Sequence, residues 1–257
     1  MGDIPPTSSA SQLVTYAMCG RKYYFIYVLG LEPEKTSTAL VFGSAVHGAL
    51  GFWFNEKLAG RVPLVPAAEQ VFLADLNAGL AGVSEADTTD LEEQGRALVR
   101  LYLKKYGELP VVAVEQEFVL SMHDPETGEV LPRPLRGYFD FVLGDGRVIE
   151  LKTSSRKWGA DVSKHLQLGA YAAASTRPVE VHVLVRRRRD AVVDVMNYNP
   201  DGWWHHAAAA LERGILARHF APSPGPMCST CDFASACSDW KTDGHHRLPV
   251  LDARVGT

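Results

Sequence analysis

Gly137-Tyr-Phe-Asp140 and, ten residues on, Glu150-Leu-Lys152 decide how this chain reads. Asp140 lies in an apolar run, Tyr138–Leu143, that ends at Gly144-Asp145-Gly146, a triplet that predicts a hairpin turn. Val148–Leu151 returns as the second strand, and alternation of side chains every two residues sets Glu150 and Lys152 on one side. Two carboxylates and one lysine therefore converge at one end of a small hairpin. Aspartate and glutamate oxygens suit Mg²⁺ or Mn²⁺, and a nearby ammonium can orient an attacking water or stabilise charge building on phosphorus. Those are the needs of metal-dependent phosphodiester hydrolysis. The same residues on a solvated hairpin are commonly decoration, so the rest of the chain has to decide.

The chain has four cysteines: Cys19, then Cys228, Cys231 and Cys237 as C-x2-C-x5-C after a proline-rich lead, Ala221–Met227. Such spacing lets adjacent thiolates reach one centre, and with Cys19 the count suffices for an iron–sulfur cluster or a tetrahedral zinc. Two disulfides are the plainer alternative. Met1–Gln12 is polar with no apolar core, so no signal peptide is expected, and a cytoplasmic setting disfavours disulfides. Metal ligation is the better reading.

Ser11-Gln-Leu-Val-Thr-Tyr16-Ala-Met-Cys19-Gly-Arg-Lys-Tyr23 resembles the opening motif of the RecB-like nucleases in the PD-(D/E)XK superfamily. The branch it is most similar to carries a four-cysteine iron–sulfur staple, as in AddB-type nuclease domains and CRISPR-associated adaptation exonucleases. Further motifs follow in the family's order: Gly43-Ser-Ala-Val-His47, Glu115-Gln-Glu117, Gly137–Asp140, Glu150–Lys152 and Gln167-x-x-x-Tyr171. The resemblance runs from about residue 11 to 240. It departs at Gly20, where the family usually has proline, and at Phe139, where isoleucine is frequent. It implies a restriction-endonuclease-like α/β core, a mixed central sheet flanked by helices, with a helical N-terminal region stapled to the C-terminal cysteine segment. His47, Asp140, Glu150 and the Leu151 carbonyl would hold Mg²⁺ or Mn²⁺, with Glu115 as a further acid. Lys152 would activate the water, and Gln167 and Tyr171 would position DNA. Cys19, Cys228, Cys231 and Cys237 would hold a [4Fe-4S] cluster.

At 257 residues and 46% apolar the chain can bury one sizeable core or at most two modest ones. No apolar run nears the length of a membrane span. A net charge of −4 does not advertise a nucleic-acid binder, but basic clusters stand at Arg21-Lys22, Lys104-Lys105, Arg156-Lys157 and Arg186–Arg189. Alternation would point Arg186 and Arg188 to one face, toward DNA phosphates. Residues 1–10 read as a flexible tail, 11–240 as a single nuclease domain and 241–257 as a polar tail. Periodicity predicts helices over Ser11–Leu29 with Ser11 as cap, Thr38–Lys57, Ala67–Leu80, Thr89–Tyr106, Asp161–Ala174 and Pro200–His219. Strands are predicted over Val111–Met122, the central hairpin, Val179–Arg187 and Ala191–Met196. The expectation is a cytoplasmic DNA exonuclease of a bacterial or phage-infected cell, acting on single-stranded or end-bearing DNA in recombination, repair or phage DNA processing. Helicase, recombinase or homo-oligomer partners fit it. The rival readings are a non-catalytic DNA-binding subunit and a zinc-stapled endonuclease.

Overall fold

The predicted hairpin forms the centre of the sheet. In the computed structural model, which describes residues 2–34, 37–81, 89–159, 162–187, 191–200 and 202–237, strand β2 (Leu135–Leu143) turns through Gly144-Asp145-Gly146 into β3 (Val148–Ser154). Gly146 takes φ +80° there, a conformation open to glycine and costly for other residues. Asp145 closes the turn by accepting the Arg147 N–H at 3.0 Å.

Strand β1 (Val111–Leu120) pairs antiparallel with β2. On the other side β4 (Val179–Val185) pairs parallel with β3, and β5 (Val192–Tyr198) antiparallel with β4. The sheet is mixed, in the order β1-β2-β3-β4-β5. Its one parallel step needs a crossover, which helix α6 (Leu166–Ser175) supplies.

Alternation divides the apolar residues between two layers. One face of β4, Val179, Val181, Val183 and Val185, packs with α6 and α7 (Trp203–Leu216), where Trp204 and Ile215 are buried. The other face collects Phe141, Leu143, Ile149, Leu151 and Leu184 against helices α3 (Thr38–Leu58), α4 (Val65–Gly79) and α5 (Thr89–Tyr106). Burying each such side chain contributes about 1.5–3 kcal/mol. The expected α/β architecture, a central sheet flanked by helices, is the one observed.

Three expectations shift. The first helix does not run through to Leu29. It is capped by Ser9, whose hydroxyl accepts the Gln12 N–H at 3.2 Å, and as α1 (Ala10–Met18) it stops at an extended Cys19. The chain resumes as α2 (Gly20–Tyr23) and a wider π-turn over Tyr24–Val28. The break lets the segment after α7 dock: Arg21 N–H reaches the Ala221 carbonyl at 3.2 Å, and a Cβ on Gly20 would stand 3.0 Å from that same oxygen. Secondly, the segment expected as a flexible tail is hydrogen-bonded at Ser8. Ser8 donates to the Pro134 carbonyl and accepts from Arg136 N–H, both at 2.9 Å, beside the start of β2. Arg133, almost fully buried, donates to the Thr7 carbonyl and Gln12 and stands 3.1 Å from Glu212 of α7. Thirdly, α6 begins at Leu166, because His165 adopts an extended backbone and caps the helix through its ring. The expected polar tail 241–257, with Trp240 and Arg188, lies outside the described residues.

Candidate active site

The hairpin splays where its carboxylates stand. β2 and β3 pair only over Phe141↔Ile149 and Val142↔Val148, so Asp140 and Glu150, one step further, are released from the ladder. Asp140 Oδ2 instead accepts the Leu151 N–H at 2.7 Å. Lys152 follows Glu150 on the same face, and its Nζ lies 2.6 Å from Glu150 Oε1 and 2.7 Å from Gln167 Oε1. Gln167 also donates to Glu150 Oε1 and to the Tyr171 hydroxyl, each at 3.0 Å. Asp140, Glu150, Lys152, Gln167 and Tyr171 thus form one connected cluster.

Its electrostatics are uneven. Burial, then the neighbouring Asp140 charge, push the Glu150 carboxyl well above the usual carboxylate range, with Lys152 opposing. Burial also works to raise Asp140, but His47, the Leu151 N–H and Lys152 overcome it and hold that carboxyl low. Tyr171 is pushed up by burial and by Glu150. Glu150 Oε2 is buried and has no hydrogen-bond donor. An orphaned buried carboxylate oxygen beside a second carboxylate fits a hard divalent cation, which would supply the missing charge. Among the described residues, however, no three His, Cys, Asp or Glu side chains are gathered around one point. Of the Glu150 oxygens, Oε1 is taken by the Lys152 ammonium.

His47 reaches the site from α3, its Nδ1 3.3 Å from Asp140 Oδ1. Gly43 makes that approach possible. It lies one turn earlier, where a Cβ would sit 2.9 Å from Thr153 Oγ1, so α3 rests directly on β3. The buried stripe of α3 is Phe42, Ala45, Val46, Ala49, Leu50 and Phe54, while Leu40 is 75% exposed. Gly43→Val is expected to lift the helix and cost about 10²-fold in activity, the scale of a 1 Å misplacement. Circular dichroism should stay unchanged while kcat falls; full activity in this variant would mean that α3 does not set the position of His47.

Glu115 is not brought into the cluster. It stands across the β1–β2 ladder from Asp140, between Val114↔Phe141 and Gln116↔Phe139. It takes φ +49°, its side chain is exposed, and among the described residues it makes no hydrogen bond or ion pair. A non-glycine residue in the left-handed region costs on the order of 1–3 kcal/mol. Glu117 instead pairs with Arg136. Arg186 lies with its guanidinium 5.2 Å from the centre of the Phe42 ring, on α3. Two contributors carried no strong sequence signal. Thr153 receives α3 at Gly43, and Phe118 lays its ring where a Cβ on Gly137 would be, stacked on Phe139 at 4.5 Å. Phenylalanine opposite a strand glycine would have been the clue.

Away from this cluster, all four cysteines line one cavity of about 110 Å³ with Arg21 and Lys22, and none is in a disulfide. Backbone N–H groups of Ser223 and Gly225 point at Cys19 and Cys228 sulfurs, each at 3.4 Å. Burial lowers the Arg21 pKa, opposed by Tyr24, Cys237 and Cys19. A cavity lined by four thiols, with amide donors and cations at the sulfurs, has the chemistry of an anionic thiolate-bound centre.

The sequence pattern of the PD-(D/E)XK nuclease superfamily matches residues 7–238. Among solved structures the fold is similar to a protein of Eubacterium rectale described as a candidate exonuclease. That likeness has TM-score 0.54 and 14% identity, and covers 98% of this chain and 94% of that one. It is also similar to SSO0001, with TM-score 0.46 and 16% identity over 92% and 88% of the two chains. No curated protein matches.

Proposed function

Because the chain belongs to the PD-(D/E)XK nuclease superfamily, we propose that it hydrolyses DNA with a divalent cation, Mg²⁺ or Mn²⁺, as an exonuclease on single-stranded or end-bearing substrate. The observation that carries this reading is Glu150: buried, with one oxygen in contact with Lys152 and the other without a donor, facing a second carboxylate. Asp140, Glu150, His47 and the Leu151 carbonyl are the groups that would hold the cation. When bound, the ion would polarise the phosphate and ease deprotonation of water. Lys152, fixed by Glu150 and Gln167, directs its ammonium to the attacking water and to the charge that gathers on the phosphate oxygens. Water adds to phosphorus, the P–O bond to the neighbouring sugar breaks, and the departing oxygen takes a proton. Gln167 keeps Lys152 and Glu150 in register.

Four cysteines around one cavity support a [4Fe-4S] cluster as a second, structural cofactor. Zinc held by the same four thiolates is the alternative, since both centres take four cysteine sulfurs.

End-labelled linear and closed circular single-stranded DNA, assayed with the metal varied, test the reading. Linear strands should be degraded and circles spared, with no cutting in EDTA. Cutting of circles would make the protein an endonuclease, and metal-free cutting would remove the cation from the mechanism. No helix among the described residues is long and apolar enough to cross a membrane.

A further inference from the structure

Beyond Lys152, β3 opens into a groove of about 780 Å³ lined by Ser154, Arg156, Lys157, Trp158, Lys164 and His165. The space is far larger than a metal ion or a lone phosphate needs. Two of its lining residues stand close to the catalytic cluster. Ser154 lies two residues past Lys152 on the same face of β3, a step of about 6.7 Å. His165 lies two residues before Gln167 and is close enough for the Lys152 charge, after burial, to lower its pKa.

Its chemistry differs from that of the whole protein. The chain carries a net charge of −4, yet the described residues that line this groove include three cations and no carboxylate. Arg156 is exposed and its guanidinium meets no acid among the described residues; Lys157 reaches Asp194 at 3.4 Å, with about half its side chain exposed. Trp158 and His165 stack at 5.2 Å with 22° between their planes, and both border the groove. Cations beside flat rings suit a polyanion that carries exposed bases.

We propose that this groove is the track for a single DNA strand, with Trp158 and His165 as its stacking surface and Arg156 and Lys157 as its phosphate contacts. The proposal rests on the nuclease reading and adds the surface and the residues by which a single strand would be held. An unpaired base gains from stacking on the ring pair. A base inside a duplex is already stacked on its neighbours and gains nothing there.

Binding is measured by fluorescence anisotropy with a short labelled single strand and the matching blunt duplex, across salt, in a Glu150→Gln background that removes cleavage. Trp158→Ala should weaken the single strand about tenfold, leave the duplex unchanged and be rescued largely by Trp158→Phe. Arg156→Ala with Lys157→Ala, both at exposed positions that do not hold the fold, should lower the slope of log affinity on log salt by about 0.7 per lost contact. Wild-type affinity and slope in the double variant overturn the proposal. So does an equal loss for duplex and single strand in Trp158→Ala, which would give the groove to duplex DNA. The catalytic reading fails separately: a protein that binds through the groove but never cuts supports the track and refutes the chemistry. Variants that cut with wild-type KM overturn the track and leave the chemistry standing.

Discussion

Lys152→Ala is expected to lower DNA hydrolysis about 10³-fold, the loss that follows removal of one preorganised charge from a reacting centre. The ammonium sits 2.6 Å from Glu150 and 2.7 Å from Gln167, and no second cation is placed to take over from it among the described residues. Lys152→Arg should not rescue, because a planar fork cannot occupy the position of a point charge held by two oxygens. Initial rates on labelled single-stranded DNA decide it, and activity within tenfold of wild type would remove Lys152 from the mechanism. Glu150→Gln should be as inactive but no less stable. The folded Glu150 pKa is raised by burial and Asp140, while the unfolded carboxyl titrates near about 4.3. Above that value the unfolded chain gives up a proton that the folded one keeps, so cation-free stability drops as pH climbs toward the folded pKa. The amide removes that decline. Excess Mn²⁺ should reverse it in wild type, because a bound cation favours the ionised carboxylate. A melting temperature of the cation-free wild type that is flat with pH, and identical to that of Glu150→Gln, would contradict the account.

Cys19→Ala should cost the fold more than the chemistry. Cys19 and Cys228 are separated by roughly 200 residues of chain. A cross-link that closes a loop of that length contributes about 5 kcal/mol in the chain-entropy treatment, and for a chain this size that is about 10–20 °C in Tm. Protein purified without oxygen should be brown from thiolate-to-iron charge transfer, and the variant colourless. Colourless wild-type protein holding stoichiometric zinc would exchange the cluster for a zinc centre. A Cys19→Ala protein that melts with the wild type would leave Cys19 outside any metal site.

The hairpin could be read in the sequence because its signals are local: alternation fixes which side chains share a face, and Gly-Asp-Gly fixes the turn. The convergence of Asp140, Glu150 and Lys152 followed directly, and Thr89–Tyr106 came out to the residue because its apolar stripe is regular and uninterrupted. Where two distant segments meet, local pattern failed. The break at Cys19 is imposed by Ala221 and Ser223, and nothing in the Ser11–Leu29 periodicity reports those residues. Residues 2–10 looked loose by composition, yet Ser8 donates to the Pro134 carbonyl and accepts from the Arg136 N–H. Glu115 had the right residue type in the right strand, but a left-handed backbone at that position is invisible to alternation.

The seating of α1 and α2 against the end of the chain bears on how the molecule is made. Tyr16 bonds the His219 carbonyl, and Tyr23 stacks on Phe220. On the ribosome those partners emerge about 10–40 s after the helices they receive, at about 5–20 residues per second. The sheet need not wait, since every strand pairs with its neighbour in sequence. Newly synthesised protein would therefore pass through an interval with the sheet assembled and its first helices still lacking their C-terminal partners. In that interval the cell can inspect, load or discard the chain.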